Sequence, residues 1–199
     1  MAGAIRTEKN GAAEHKRELR AEIRRREAAL PEEYLKASGA AICERLWELP
    51  EFQKAGTVFV FVGCGAEIDT SDLIERMLSA GKRVLVPRCE AKGIMHAYEI
   101  KSLSELSPGS YGIPEPSGGA KKADPAEIGF CIVPCLSCDR EGYRLGHGGG
   151  YYDRYLEQVH VPRTVICRER LMLDSVPHEA HDLRMNLVVT ETQICTIKY

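Results

Sequence analysis

No stretch of the 199 residues approaches the roughly 20 consecutive apolar residues that a membrane-crossing helix needs. The segment Met1 to Arg20 is polar and has no apolar core of the kind an export signal requires. Neither sign of charge is in excess. The 27 Lys and Arg face 29 Asp and Glu, a net charge of −2, which argues against a protein that coats nucleic acid by charge alone. Internal repeats, low-complexity linkers and an RNA-recognition motif are all missing. Hydrophobic residues at 44% and charged residues at 28% exclude disorder and collagen-like structure. The expectation is a cytoplasmic domain that engages neither membrane nor nucleic acid, acts as a monomer, and spans residues 1–199 with a flexible tail over about 1–13.

Eight cysteines are present, at positions 43, 64, 89, 131, 135, 138, 167 and 195. A disulfide framework belongs to short exported chains, so these read as reduced thiols, most of them buried as small hydrophobes. Cys131, Cys135 and Cys138 form C-x3-C-x2-C, and His147 could complete a tetrahedral zinc set. Against that set, Cys131 lies in a strand-like run, and the spacing matches no common zinc module.

The hydrophobic pattern is that of an α/β domain with a mostly parallel central sheet flanked by helices and a helical N-terminal arm. Glu14 to Ala29 is rich in helix formers and holds a Glu22–Arg26 pair one turn apart. Pro31 ends that helix and opens another, in which Leu35, Ile42, Leu46 and Leu49 share a face and which Pro50 stops. Thr57 to Val62 then reads as a buried strand, Asp69 to Asp72 as capping residues of a helix, and Arg83 to Pro87 as a second strand. Together these make a βαβ unit with parallel strands. Further strands are expected at 95–100, 128–134, 163–167, 187–190 and 194–198. A helix with Tyr152, Tyr155, Leu156 and Val159 on one side follows the Gly-rich loop.

That loop, Gly142-Tyr-Arg-Leu-Gly-His-Gly-Gly-Gly-Tyr-Tyr-Asp-Arg154, carries the strongest local signal. Glycines at 146, 148, 149 and 150 let backbone N–H groups approach an anion, and Arg144 adds a planar cation suited to phosphate. It is neither a Walker loop nor a dinucleotide fingerprint. A flexible surface turn ahead of a short helix remains the competing reading.

The run Arg144 to Arg154 resembles the signature of the 5-formyltetrahydrofolate cyclo-ligase (methenyltetrahydrofolate synthetase) family. Lys16-Arg-Glu-Leu-Arg20, Glu67-Ile-Asp-Thr70, Tyr111-Gly-Ile-Pro-Glu-Pro116 and Val176-Pro-His-Glu-Ala-His-Asp182 resemble further motifs of that family, in its order. The resemblance implies an ATP- and Mg²⁺-dependent ring closure of 5-formyltetrahydrofolate to the 5,10-methenyl form. It implies an ATP site made of Lys16, Arg17, Glu18, Leu19 and Arg20 with Arg144, Leu145, Gly146, His147, Gly148, Gly149, Gly150, Tyr151 and Tyr152. Arg144 takes the catalytic role beside the transferred phosphoryl group. Val62, Glu67 and Tyr111 are implied as the folate side, together with His147, Gly148, Gly149, Gly150 and Tyr151. Asp153 and Asp182 are implied as the Mg²⁺ ligands. Arg88, just after a strand end, either pairs with the folate glutamate tail or sits in solvent.

Three positions depart from the family pattern. Gly149 stands where some relatives carry Lys, His147 where an aromatic residue or Arg is frequent, and Asn186 where Asp is usual. Two other classes stay open on the residues alone: a folate binder that has lost turnover, and an RNA-binding module that uses the basic arm. Lys16, Arg20, Arg144 and Asp153 speak against the first, since a pure folate binder needs no triphosphate site.

Overall fold

Two prolines divide the N-terminal helices. The computed structural model describes residues 2–180 and 182–198, with side chains described from Glu14 onward, so the tail expected over 1–13 lies outside the described side chains. Helix α1 (Ala2–Ala28) is followed across Pro31 by α2 (Glu32–Glu48), and Pro50 opens α3 (Pro50–Lys54). The sequence reading took Pro50 only as a stop. A proline in the first helical turn sacrifices no hydrogen bond, so one residue both ends α2 and starts α3. The Glu22–Arg26 pair forms on the exposed face of α1 at 2.9 Å.

The remaining elements run β1 (Thr57–Val60), α4 (Ser71–Ser79), β2 (Arg83–Ala91), β3 (Ile94–Ile100), β4 (Leu106–Pro108), β5 (Pro114–Pro116), β6 (Phe130–Val133), β7 (Ser137–Cys138), β8 (Arg144–Leu145), α5 (Tyr151–Leu156), β9 (Arg163–Ile166), β10 (Leu187–Val189) and β11 (Ile194–Thr196). Seven strands form one sheet in the order β11-β10-β9-β6-β1-β2-β3. The five inner strands are parallel, and β3 and β11 close the edges antiparallel. Two small hairpins, β4–β5 and β7–β8, lie outside that sheet.

Alternation along the strands splits the core between two faces. Phe59, Leu85, Cys131, Val133, Val165 and Val188 pack against Ile23 of α1 and Tyr155 and Leu156 of α5. Val58, Val60, Val84, Val86, Phe130 and Ile132 pack against Ile42 and Leu46 of α2, Phe52 of α3, and Leu73, Ile74 and Met77 of α4. Each large side chain buried this way contributes roughly 1.5–3 kcal/mol relative to exposure. This two-sided cover explains why the inner strands read as continuous apolar runs. Helix α5 stops at Leu156, so Val159 is buried from the turn after it rather than from its apolar face. Among the described residues no helix is long and apolar enough to cross a membrane.

The strand order reverses between β1 and β6, because the chain leaves β1 towards β2 on one side and later returns to β6 on the other. Loops leaving the carboxyl ends of two such strands diverge and open a crevice, the usual ligand position in an α/β sheet. The loop after β1 is pinned there by Thr70. Its hydroxyl donates to Phe61 O at 2.8 Å and accepts from Gly63 N at 3.2 Å instead of capping α4. Gly63 is required, since a Cβ at this position would collide with the Ile68 carbonyl oxygen.

Candidate active site

Helix α1 lies across the Gly-rich loop and presents Lys16, Arg20, Arg24 and Glu27 at spacings of four, four and three residues, along one face. The Lys16 ammonium is buried and pairs with Asp182, with Glu179 at 3.6 Å. Arg20 Nε donates to Gly146 O at 2.8 Å and docks the arm on the loop. Arg17 and Glu18, by contrast, are exposed, and Leu19 packs on the core. Of the basic motif, then, only Lys16 and Arg20 reach the cleft.

Under the arm is a cavity of about 400 Å³ lined by Lys16, Arg20, residues 144–154 and Asp182. The Arg144 side chain is only 4% exposed, and its guanidinium donates to Asp153 Oδ1 at 2.9 Å. The cavity thus gathers four cations, Lys16, Arg20, Arg144 and Arg154, four carboxylates, Asp153, Glu157, Glu179 and Asp182, and a glycine turn. Gly148 (φ 101°) and Gly150 (φ 64°) adopt left-handed backbone that L side chains disfavour. Arg154 clamps the turn by donating to Gly149 O at 2.6 Å and Gly93 O at 2.7 Å. The sequence reading assigned it no role. Helix α5 has only six residues, so the guanidinium groups and the N–H groups of the turn, more than a helix field, are what an anion would meet in the cavity.

A second cavity, about 570 Å³, opens at the switch point between β1 and β6. Phe61, Val62, Met95 and Leu136 give it apolar walls, and Glu67, His147, Tyr111 and Tyr151 supply polar groups. His147 Nε2 is 3.1 Å from Glu67 Oε1, and Cys64 N donates to Glu67 Oε2 at 3.1 Å. Arg168 holds the backbone of the same loop by donating to Ala66 O at 2.9 Å and Glu67 O at 3.3 Å. At the mouth, the Tyr111 and Tyr151 hydroxyls are 3.0 Å apart. Tyr111 is the one non-glycine residue with positive φ among those described, at 60°.

Two charged wall residues on α1, Arg24 and Glu27, are not legible from sequence, because the helix has the composition of a solvated face. Burial pushes the Glu27 carboxyl up from its ordinary value, opposed by Arg168 and His147. Of the departing positions, His147 and Gly149 both line the two cavities. Asn186 serves the sheet, its side chain accepting from Arg163 N at 2.9 Å and its backbone N donating to Arg163 O at 2.8 Å. Arg88 is engaged by Ser117 O, Glu90 and the Tyr98 ring. A third cleft, about 580 Å³ between α2 and α4, includes Glu67 but none of the other candidate ATP, folate or Mg²⁺ residues.

The zinc set weighed from the sequence does not assemble. His147 faces Glu67, while Cys135 and Cys138 are joined by Cys167 rather than Cys131.

This architecture is shared with solved structures. The solution structure of Aquifex aeolicus 5,10-methenyltetrahydrofolate synthetase is 30% identical and superposes with a TM-score of 0.83 over 92% of this chain and 93% of that one. A synthetase of the same name from Mycoplasma pneumoniae is 19% identical with a TM-score of 0.72 over 88% and 98%, a likeness of fold. The fold is therefore that of the methenyltetrahydrofolate synthetases, and the chain is a ligase. In sequence, the Escherichia coli 5-formyltetrahydrofolate cyclo-ligase is 30% identical over 184 residues, covering 86% of this chain and 98% of that protein. The Mycolicibacterium smegmatis protein of that name is 35% identical over 141 residues, covering 67% and 73%. The profile of the 5-formyltetrahydrofolate cyclo-ligase family matches residues 12–191, and the chain belongs to that family.

Proposed function

We propose that the chain closes 5-formyltetrahydrofolate to 5,10-methenyltetrahydrofolate at the expense of ATP, with Mg²⁺ required and ADP and phosphate released. The observation that carries this reading is a shared wall. His147, Gly149, Tyr151 and Tyr152 line both cavities, so ligands in the two would meet at the Gly-rich loop. The triphosphate belongs in the cavity where Lys16, Arg20 and Arg144 meet the glycine turn, and the folate in the apolar one. The reading includes a single domain working as a cytoplasmic monomer on small-molecule substrates.

A formamide carbon is a poor electrophile and its oxygen a poor leaving group. Transfer of the γ-phosphoryl group to the formyl oxygen releases ADP and leaves an iminium-like phosphate ester. Attack by N10 on that carbon, with loss of its proton and expulsion of phosphate, closes the ring. Such chemistry asks for positioning and charge neutralisation more than for a protein nucleophile. Arg144, oriented by Asp153, faces the transferred group, and Lys16 and Arg20 hold the remaining phosphates. Glu67 accepts hydrogen bonds from pterin donors. Tyr111 and Tyr151 cover the folate at the cavity mouth.

Asp153 and Asp182 offer hard oxygen donors beside the cations, a set that suits Mg²⁺, which takes one or two carboxylates with phosphates and waters. When bound, the ion would offset charge on the phosphate oxygens.

Purified protein mixed with 5-formyltetrahydrofolate, ATP and Mg²⁺ is expected to form the methenyl chromophore and ADP in equal amounts, with each component required. A folded protein that binds folate but makes no product would instead be a non-catalytic relative.

A further inference from the structure

The chain carries a third assembly of chemically active groups, separate from both cavities' polar walls. Cys135 follows β6, Cys138 sits on β7, and Cys167 follows β9. Parallel pairing of β6 with β9 brings the two loops together, and all three Sγ atoms lie within 4.8 Å of one another. Cys138 and Cys167 are buried, and no disulfide joins any of the three. Three thiolates around one ion at a Zn–S distance of about 2.3 Å would stand roughly 3.8 Å apart in tetrahedral geometry. The cluster needs to tighten only slightly to reach that spacing.

Its surroundings suit a soft cation as well. Two buried arginines flank it, Arg168 next to Cys167 and Arg144 opposite Cys138 in the β7–β8 ladder. A divalent ion on three thiolates carries a net charge of −1, and it would lie beside two guanidinium groups that also pair with carboxylates, Arg144 with Asp153 and Arg168 with Glu27. A void of about 10 Å³ adjoins Cys135 and Cys167, enough for one water as a fourth ligand. We propose that Cys135, Cys138 and Cys167 form a three-thiolate site for one thiophilic divalent cation of the zinc class, completed by water. Binding releases the thiol protons to solvent and changes no oxidation state. The bound ion would brace the segment paired with Arg144 to the one from which Arg168 holds the Glu67 loop.

The test uses the fully reduced full-length chain, without air, titrated with Cd²⁺ alone and then with Zn²⁺ in competition. One equivalent of Cd²⁺ is expected, with thiolate-to-cadmium charge-transfer absorption of three-thiolate intensity that Zn²⁺ removes. Cys138→Ser and Cys167→Ser should each weaken binding by at least roughly a hundredfold, beyond the loss of an outer-shell partner. Cys195→Ser should change nothing. Should the serine variants fail to fold, alkylation of wild-type protein followed by mass mapping decides, since Zn²⁺ must protect these three thiols together. Absence of the band, its survival in Cys167→Ser, or thiols that alkylate equally with and without Zn²⁺ would overturn the site. A disulfide among the three that forms in air, from a reduced chain that retains no ion, would overturn it as well.

Discussion

His147 Nε2 sits 3.1 Å from Glu67 Oε1, so the Gly-rich wall and the loop after β1 meet inside the second cavity through one imidazole–carboxylate contact. Cys64 N and Arg168 fix that loop from two other directions, which leaves Glu67 with a set orientation. If this carboxylate reads the pterin, Glu67→Gln loses a charge-assisted acceptor worth about 1.5–3 kcal/mol. The KM for 5-formyltetrahydrofolate should rise about tenfold or more, while the KM for ATP stays within about twofold. Steady-state kinetics with each substrate varied will show this, and equal losses for both would contradict the assignment.

Arg144 and Asp153 call for a different experiment, because the pair is buried on one side. Asp153→Ala would leave the Arg144 guanidinium without its carboxylate, at a cost on the order of 3 kcal/mol. Arg144→Lys keeps the charge but loses the planar fork, so stability should change less than kcat. Chemical denaturation and kcat measured on both variants separate the two effects. A stable Asp153→Ala protein with unaltered Mg²⁺ dependence would remove Asp153 from both roles.

Gly149 tests the shared wall. A Cβ there would come within 2.7 Å of the Tyr151 ring and displace the hydroxyl that meets Tyr111. Gly149→Ala is therefore expected to lower kcat/KM for both substrates by about tenfold to a hundredfold, as small misplacements in a reacting site do. Gly118→Ala, where a Cβ meets nothing within 4 Å, is the silent control. A loss confined to one substrate would mean that the wall is not shared.

Much of this architecture was legible because burial on both faces leaves an unmistakable apolar run. Val58 to Val60, Val84 to Val86 and Phe130 to Val133 needed no tertiary information. The hairpin β7–β8 has two residues per strand, too short for any period to register, and yet it sets Cys138 opposite Arg144. Cys167 lies 29 residues beyond Cys138, and only tertiary pairing, of β6 with β9 and of β7 with the segment after β9, joins them, whereas the local spacing points to Cys131 instead. Arg24 and Glu27 were hidden for a related reason. A charged helix face looks solvated until the surface it docks on is known, and burial of Glu27 against Arg168 is a tertiary fact. Lys16 and Arg20 rest on family resemblance, since composition alone also described an ordinary basic helix, whereas the Gly-rich run stands out by its own glycines and Arg144.

The thiols should differ sharply in reactivity. Burial pushes Cys43 and Cys89 up to about 11 and Cys131 up to about 12. At pH 8 a thiol with a pKa of about 11 is thiolate in about one molecule in a thousand, and the thiolate is the nucleophile. Cys64 is exposed at the rim of the second cavity. Iodoacetamide at pH 8 should therefore modify Cys64 before Cys43, Cys89 and Cys131, with Cys64 slowed by 5-formyltetrahydrofolate and not by ATP. Peptide mapping over time checks the order. Comparable rates at Cys131 and Cys64, or ATP alone protecting Cys64, would contradict the packing and the placement of the folate.

Tyr111 holds its backbone at φ 60°, a conformation that costs an L residue roughly 1–2 kcal/mol. Its side chain repays little of that by burial, being 77% exposed, and its contacts are the 3.0 Å hydroxyl meeting and the edge-on ring packing with Tyr151. Strain kept at an exposed position beside a cavity points to use rather than to stability. Tyr111→Asn should separate the two, because asparagine tolerates left-handed backbone but offers no ring. The variant is expected to melt at the same temperature as the parent or higher, while its KM for the folate rises several-fold and its KM for ATP does not move. A variant destabilised by more than about 1 kcal/mol with an unchanged folate KM would show instead that the strained tyrosine props the loop 109–116 for its own sake.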